Sequence, residues 1–325
     1  MLASVVREFG GPQVLRPEQV EAPEAGPGEV LVRVAAAGVQ FVETQIRSGA
    51  MAGTPLAPDT LPWTPGREVA GEVVAVGTGV DRALLGRLVA GQTPRGGGYA
   101  EVAVLDAASA HLVPDGLAAA EAVSLLGTGR TALALSELAP MGAGDVVLVE
   151  SAAGAVGALL LQLARAAGAA RVIGLARGDS KLALAREFGA HSAVDYGRPG
   201  WSAALRDAGV TVVFDGVGGT VGREAFDLLG PGGRFVTFGF ASGSGTRLDE
   251  GEAAEQGVEV LSYWGPPVGP RGPQVQLRQT RDALAAAAAG RLRPFVGATF
   301  PLAAADAAHR AIERRETVGK TVLLP

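Results

Sequence analysis

Cysteine is missing from the 325 residues. Its absence excludes disulfides, a thiolate nucleophile and any cysteine-ligated zinc or iron–sulfur cluster. Histidine is scarce as well: His111, His191 and His309 lie far apart, with no metal-ligand spacing, so no metal is expected. Blocks of positive charge are lacking, because 28 Lys and Arg are scattered among 33 Asp and Glu for a net charge of −5. That balance argues against nucleic acid or an anionic membrane as the main partner. Long hydrophobic runs are lacking too. The most apolar helix-like stretch, residues 158–170, is shorter than the ~20 residues of a membrane span and is interrupted by Gln162 and Arg165. The opening residues 1–10 form a short β-like run carrying Arg7 and Glu8, unlike a signal peptide. The expected location is cytoplasmic.

What is present is a globular composition, 48% hydrophobic and 19% charged, in a chain long enough for two domains. Residues 1–117 read as short β-like runs, among them 29–35, 68–76 and 99–104, separated by Gly10-Gly11-Pro12, Pro27-Gly28 and Gly96-Gly97-Gly98. This texture predicts a compact, barrel-like β domain. Beyond it, helical patterns alternate with nearly continuous apolar strands at 145–150, 171–175, 192–196, 211–215, 234–238 and 258–262. Such strands with helical crossovers predict a parallel sheet covered on both faces, an α/β fold. The Gly/Pro-rich residues 265–273 read as a linker, followed by a polyalanine helix at 283–289 and a final strand at 320–324.

The strongest chemical signal follows the first of these strands. Ser151-Ala152-Ala153-Gly154-Ala155-Val156-Gly157 stands between the strand and a helix closed by Gly168. A turn of small residues lets the backbone approach a pyrophosphate, and the helix start offers it free N–H groups and the positive dipole end. Ala152, Gly154 and Gly157 occupy the three fingerprint positions. Tight strand–helix packing without a ligand is the alternative. The next strand bears on which dinucleotide fits. An NAD enzyme places Asp or Glu about 20 residues on, to accept from the ribose 2′-OH. Here the strand tip reads Arg177-Gly178-Asp179-Ser180-Lys181. Arg177 and Lys181 suit a 2′-phosphate, which selects NADPH, and Asp179 suits the N-cap of the following helix. Solvated cations at a helix start are the competing account.

Several segments together carry a family resemblance. Ala35-Ala36-Ala37-Gly38-Val39-Gln40, continuing to Thr44-Gln45-Ile46-Arg47-Ser48-Gly49, Pro65-Gly66-Arg67-Glu68-Val69-Ala70-Gly71, Gly97-Gly98-Tyr99-Ala100-Glu101, the 152–157 turn, Phe214-Asp215-Gly216-Val217-Gly218-Gly219 and Val318-Gly319-Lys320-Thr321-Val322 run the length of the chain. In these the chain resembles the zinc-independent quinone oxidoreductase, zeta-crystallin-like branch of the medium-chain dehydrogenase/reductase superfamily. The resemblance implies a GroES-like catalytic domain from residues 1–117 and 265–325, a Rossmann domain from 118–264, and NADPH in the cleft between them. It implies cofactor contacts from Thr131, Gly154, Ala155, Val156, Gly157, Lys181, Tyr196, Phe238 and Gly239, beside which Ala153, Arg177 and Lys320 are further candidates, and a homodimer paired through the strand near 258–262.

The departures from the family pattern bear on mechanism. Arg67 stands where zinc alcohol dehydrogenases of the superfamily have a histidine, and Gln40, Glu43 and Gln45 replace the family's Asn, Asp and Tyr. The expected reaction is metal-free hydride transfer from NADPH to a quinone or α,β-unsaturated carbonyl. Gln40 or water would stabilise the resulting oxyanion, and solvent would protonate it. Glu43, Arg47, Trp63 and Trp264 are the candidate lining of the substrate pocket. A surface salt bridge for Arg47 and core packing for the aromatics, Tyr263 included, stay open. So do a trans-acting enoyl-thioester reductase and a non-catalytic NADPH-binding protein.

Overall fold

In a computed structural model of the chain, the residues described are 1–94, 96–263 and 272–325. They form two units, Met1–Gly127 with Thr280–Pro325, and Thr128–Gln279. The chain opens with β1 (Leu2–Val6) and β2 (Leu15–Gln19), then β3 (Glu29–Val39), α1 (Phe41–Ser48), β4 (Glu68–Val76), β5 (Leu88–Gln92), β6 (Val102–Asp106), β7 (His111–Leu112), α2 (Ala119–Val123) and α3 (Gly127–Leu138). There follow β8 (Val146–Val149), α4 (Ala155–Ala166), β9 (Arg171–Ala176), α5 (Asp179–Glu187), β10 (Ser192–Asp195), β11 (Val212–Asp215), α6 (Gly219–Phe226), β12 (Arg234–Thr237), α7 (Glu252–Gln256) and β13 (Glu259–Ser262). The last elements are α8 (Pro273–Ala288), β14 (Val296–Pro301), α9 (Ala305–Glu313) and β15 (Lys320–Leu324).

The first unit is organised by β3. Its early half alternates, with Val30, Val32 and Val34 buried and Arg33 exposed, while residues 36–39 are all buried. Period-two burial fits a strand with one face on a core. One edge of β3 pairs with β4, and the other is shared: residues 29–33 pair with β6 and 37–39 with β15. The full sheet runs β14-β15-β3-β4-β5-β7. Val69, Val73, Val89 and Leu105 fill its core with the β3 valines. The expected strand at 99–104 starts later, at Val102. Tyr99 is diverted because its N–H bonds to Pro65 O and its carbonyl accepts from Ser4 N.

The second unit holds six strands in the order β10-β9-β8-β11-β12-β13, all in parallel register. Leu148, Ile173, Val213, Phe226 and Phe235 are fully buried in its core, with Phe226 and Phe235 edge to face at 5.4 Å. Central strands that are continuously apolar because both faces are covered are legible in the sequence, while the edge strands β10 and β13 are only partly buried. The order reverses between β8 and β11, and ligands of such sheets bind at the carboxyl ends of the strands flanking that reversal.

Candidate active site

At the carboxyl end of β8 the chain turns sharply. Ser151 has φ 51, a left-handed conformation uncommon outside glycine, and its carbonyl accepts from Gly154 N at 2.7 Å. Gly154 is the N-cap of α4 and brings no side-chain cap. The N–H groups of Ala155, Val156 and Gly157 therefore open the helix without intrahelical acceptors, at the end where the dipole favours an anion. A Cβ on Gly157 would overlap the Ser151 carbonyl, so only glycine lets the first turn of α4 close onto the bend. Ala152 stands where the fingerprint has its first glycine, and it is fully buried. Its methyl group is accommodated by Gly174 of β9, where a Cβ would lie 3.0 Å from it.

The tip of β9 leads to Arg177, which is exposed, and to Gly178 with φ 84. Gly178 is the N-cap of α5, so Asp179 is the first helical residue and not the cap expected from the sequence. Asp195 fixes this corner, accepting from Gly178 N at 3.2 Å and Gly197 N at 2.8 Å. The Arg177 side chain runs along Gly197, where a Cβ would fall 3.0 Å from its Nε. Arg198 joins it, 3.7 Å from Asp179 and 3.8 Å from Asp195. The sequence reading passed over Arg198. Its signal was the parallel register of Asp195 with Ala176, which sets the segment after β10 beside the tip of β9. Lys181 is half-buried in the first turn of α5, and Tyr196 packs on the apolar core.

Thr131 on α3 lies with Oγ1 3.4 Å from the Tyr263 hydroxyl. Phe238 and Gly239 follow β12, and both donate their N–H to Asp215 O. The Phe238 ring covers Gly216, leaving no room for a Cβ there. Trp264 lies outside the described residues.

Two carboxyl groups that the sequence reading did not single out end the strands at the reversal point. Glu150 and Asp215 are both 0% exposed. Glu150 Oε2 accepts from Val217 N at 2.9 Å. Asp215 accepts from Gly218 N at 2.7 Å and from the Thr246 hydroxyl at 2.6 Å. Burial, and then the neighbouring Asp215, pushes the Glu150 carboxyl well above its ordinary value.

The first unit carries a second polar cluster. Glu43 is 0% exposed and accepts from Gln40 N, Arg67 N and the Tyr99 hydroxyl at 2.9, 2.9 and 2.7 Å. Its bond to Gln40 N caps α1. The Tyr99 hydroxyl also meets His309 Nε2 at 3.1 Å. Burial raises the Glu43 carboxyl above its ordinary value. Burial and then Glu43 raise the Tyr99 phenol further. Burial, followed by the Arg47 charge, lowers His309 to about 3. Arg47, expected at anionic substrate groups, is 1% exposed and paired with Glu313. Lys320, expected at the cofactor, is 3% exposed with Nζ 2.5 Å from Glu68 Oε2. The other Glu68 oxygen accepts from Gly127 N at 2.6 Å. Trp63 is half-buried against the β core, its backbone paired with Val6. Gln40 is half-exposed, and its side-chain amide lies beside Gly127.

Residues 26–115 match the family model of the alcohol dehydrogenase GroES-like domain, and residues 155–272 that of the zinc-binding dehydrogenase. A quinone oxidoreductase of Pseudomonas aeruginosa is 34% identical over 326 residues, covering 98% of this chain and 97% of that one. The chain belongs to the quinone oxidoreductase branch of the medium-chain dehydrogenase/reductase superfamily. It is an oxidoreductase with a GroES-like domain and a Rossmann domain. A 2-haloacrylate reductase of Burkholderia sp. is 31% identical, over 100% of this chain and 99% of that one. A mycobacterial structure complexed with NADPH superposes with a TM-score of 0.87, 34% identity and complete coverage of both chains.

The name of the matched dehydrogenase model implies zinc, and the donors do not fit it. Among the described residues no group of three or more His, Asp or Glu side chains is placed to hold a metal ion. Glu68 is committed to Lys320 and Gly127, and His309 to Tyr99. The α4 start does fit a dinucleotide: small residues, unaccepted N–H groups and a Gly157 that cannot carry a side chain meet at one bend.

Proposed function

We propose that this oxidoreductase uses NADPH, without a metal, to reduce a quinone or an α,β-unsaturated carbonyl. The observation that carries the reading is the corner after β9, where Arg177, Lys181 and Arg198 surround the turn into α5 beside the open helix start of α4. Cations at that position recognise a 2′-phosphate.

Residues 153–157 hold the pyrophosphate through backbone N–H groups. Arg177 and Lys181 hold the 2′-phosphate, with Tyr196 beside it, while Thr131, Phe238 and Gly239 line the cofactor groove. Bound NADPH supplies the hydride. The protein's part is to orient the acceptor and stabilise the charge that develops on its oxygen. Gln40 is the group for this task, because it carries a half-exposed side-chain amide at the start of α1. Glu43 and Arg47 do not line the pocket in this reading. They are buried and set the backbone geometry of α1, while Lys320 acts through Glu68 and makes no direct cofactor contact.

The acceptor must form a stabilised anion, because the buried acid groups of the first unit are spent. Tyr99 donates to Glu43, and its phenol is held above its ordinary value. Solvent therefore completes the reaction. The relatives' quinone and 2-haloacrylate names are consistent with such electrophiles. The sheet edge at β13, with Val260 38% exposed, pairs with a second copy to form a homodimer, and a monomeric mass by light scattering overturns that. Among the described residues no helix is long and apolar enough to cross a membrane, and the protein works in the cytoplasm.

Steady-state oxidation of NADPH against a naphthoquinone and a medium-chain 2-alkenal, with NADH as control, tests the proposal. Turnover of either acceptor with NADPH supports it. Equal rates with NADH remove the role of the cation corner, and silence with both acceptors removes the substrate class.

A further inference from the structure

The Glu150 and Asp215 carboxyl groups sit where the strand order reverses, at the ends of β8 and β11. Both are fully buried. Three of their four oxygens have donors: Val217 N, Gly218 N and the Thr246 hydroxyl. The fourth, Glu150 Oε1, has no hydrogen-bond partner, and the parallel register of β8 with β11 sets Glu150 beside Asp215. A buried acceptor left bare beside a second carboxylate is costly twice over, by desolvation and by like charge. A single proton held between the two carboxyls removes both costs.

We propose that Glu150 and Asp215 share a proton and act as a positioning pair for the cofactor crevice. The inference rests on the dinucleotide reading above. The pair ties down two segments at once. Val217 N and Gly218 N fix the turn after β11, and Thr246 draws in the loop after β12. That loop is also bonded through Ala241 N to Gly216 O and Ser242 N to Val217 O. It passes so close to Gly218 that a Cβ there would overlap Ser244 O. With one proton the carboxyls draw the segments together; with none they repel and push them apart.

Charged groups on the packed elements are otherwise engaged or distant. Arg171 and Arg234 stand level with Val146 and Val212, at the amino ends of the strands. On α6, Arg223 pairs with Asp227 and Glu252, and Glu224 accepts from Ser202. Arg165 of α4 meets His191, and Arg177 lies along Gly197. Among the described residues Asp215 is the charged neighbour that raises the Glu150 carboxyl, after burial.

The test measures NADPH affinity by nicotinamide fluorescence from pH 6.5 to 9.5, alongside urea unfolding over the same range, for wild type, Glu150→Gln and Glu150→Ala. Glutamine keeps the Val217 bond and donates an amide proton to Asp215 permanently. It is expected to bind NADPH within about 3-fold of wild type at pH 7 and to show a flatter decline in affinity as pH rises. Alanine is expected to lose at least 10-fold in affinity at pH 7 while glutamine keeps it, a rescue by the conservative variant that general destabilisation does not give. Identical pH profiles for wild type and Glu150→Gln, or undiminished affinity in Glu150→Ala, overturn the inference. If wild type binds no NADPH, the cofactor reading fails on its own. The pair is then judged by unfolding: stability falling with rising pH in wild type but flat in Glu150→Gln supports proton sharing, and parallel curves refute it.

Discussion

Lys320 and Glu68 are 252 residues apart in the chain, and their Nζ and Oε2 atoms meet at 2.5 Å in the interior of the first unit. Both pack against Gly38. A Cβ on Gly38 would lie 2.8 Å from Lys320 Cε and 2.9 Å from Glu68 Oε2. Removing one partner strands a buried charge. Lys320→Met and Glu68→Gln should each lower unfolding stability by about 3–5 kcal/mol. The double variant should lose clearly less than the sum, because it buries no lone charge. Urea unfolding of the three variants checks this, and additive losses would show that the two side chains act independently.

His309 should make the protein acid-sensitive. Its folded value is about 3, against 6.5 for the free imidazole. Between those values the unfolded chain binds the proton and the native one does not. Its contribution is thus complete above pH 6.5 and is lost as pH falls from 6.5 toward 3. The expected slope from this group below pH 6 approaches about 1.4 kcal/mol per pH unit. His309→Gln should show a shallower acid limb when unfolding free energies are compared at pH 7, 6 and 5, and equal limbs would assign the acid sensitivity elsewhere.

Cofactor choice should reside in the corner after β9. Arg177→Ala is expected to raise the KM for NADPH by about 10–100-fold, the loss of one or two charge-assisted contacts, while leaving the KM for NADH nearly unchanged. Arg198→Ala should act in the same direction and more weakly, because its side chain is 73% exposed and already shared with two aspartates. Steady-state kinetics with both cofactors decides. A parallel loss with NADH would mean that the arginines support the fold of the corner and do not recognise a phosphate.

Gly157→Ala should damage binding more than folding. The new methyl group would meet the Ser151 carbonyl and Ala152 Cα, forcing the first turn of α4 away from the bend. Loss of NADPH binding by at least 10-fold with the far-UV circular dichroism spectrum retained is the expected result. Unchanged binding would place the pyrophosphate elsewhere.

Legibility in the sequence followed how local the signal was. The central parallel strands are announced by apolar runs, and the turn at 151–157 by small residues between strand and helix. Arg198 and the Glu150–Asp215 pair escaped because each acquires meaning only from strand register, which brings together residues 21 and 65 positions apart in the chain (177 with 198, 150 with 215). Glu43, Arg47 and Lys320 are buried with protein partners, and charged residues in a motif look alike whether they face a ligand or a buried partner. Asp179 misled for a simpler reason: a glycine with positive φ had already taken the cap position. β3 continues through Ala36-Ala37-Gly38-Val39 because β4 and β15 supply pairing partners on its two edges, context that overrides the weak strand preference of Ala and Gly.

The place of β15 between β14 and β3 has a consequence for biosynthesis. The second unit is one contiguous stretch whose sheet strands, Val146 to Ser262, all emerge before β15 is made. The sheet of the first unit cannot close until Lys320–Leu324 arrives to cover the free edge of β3. The amino-terminal strands therefore gain their last neighbour only after the whole middle of the chain has been made.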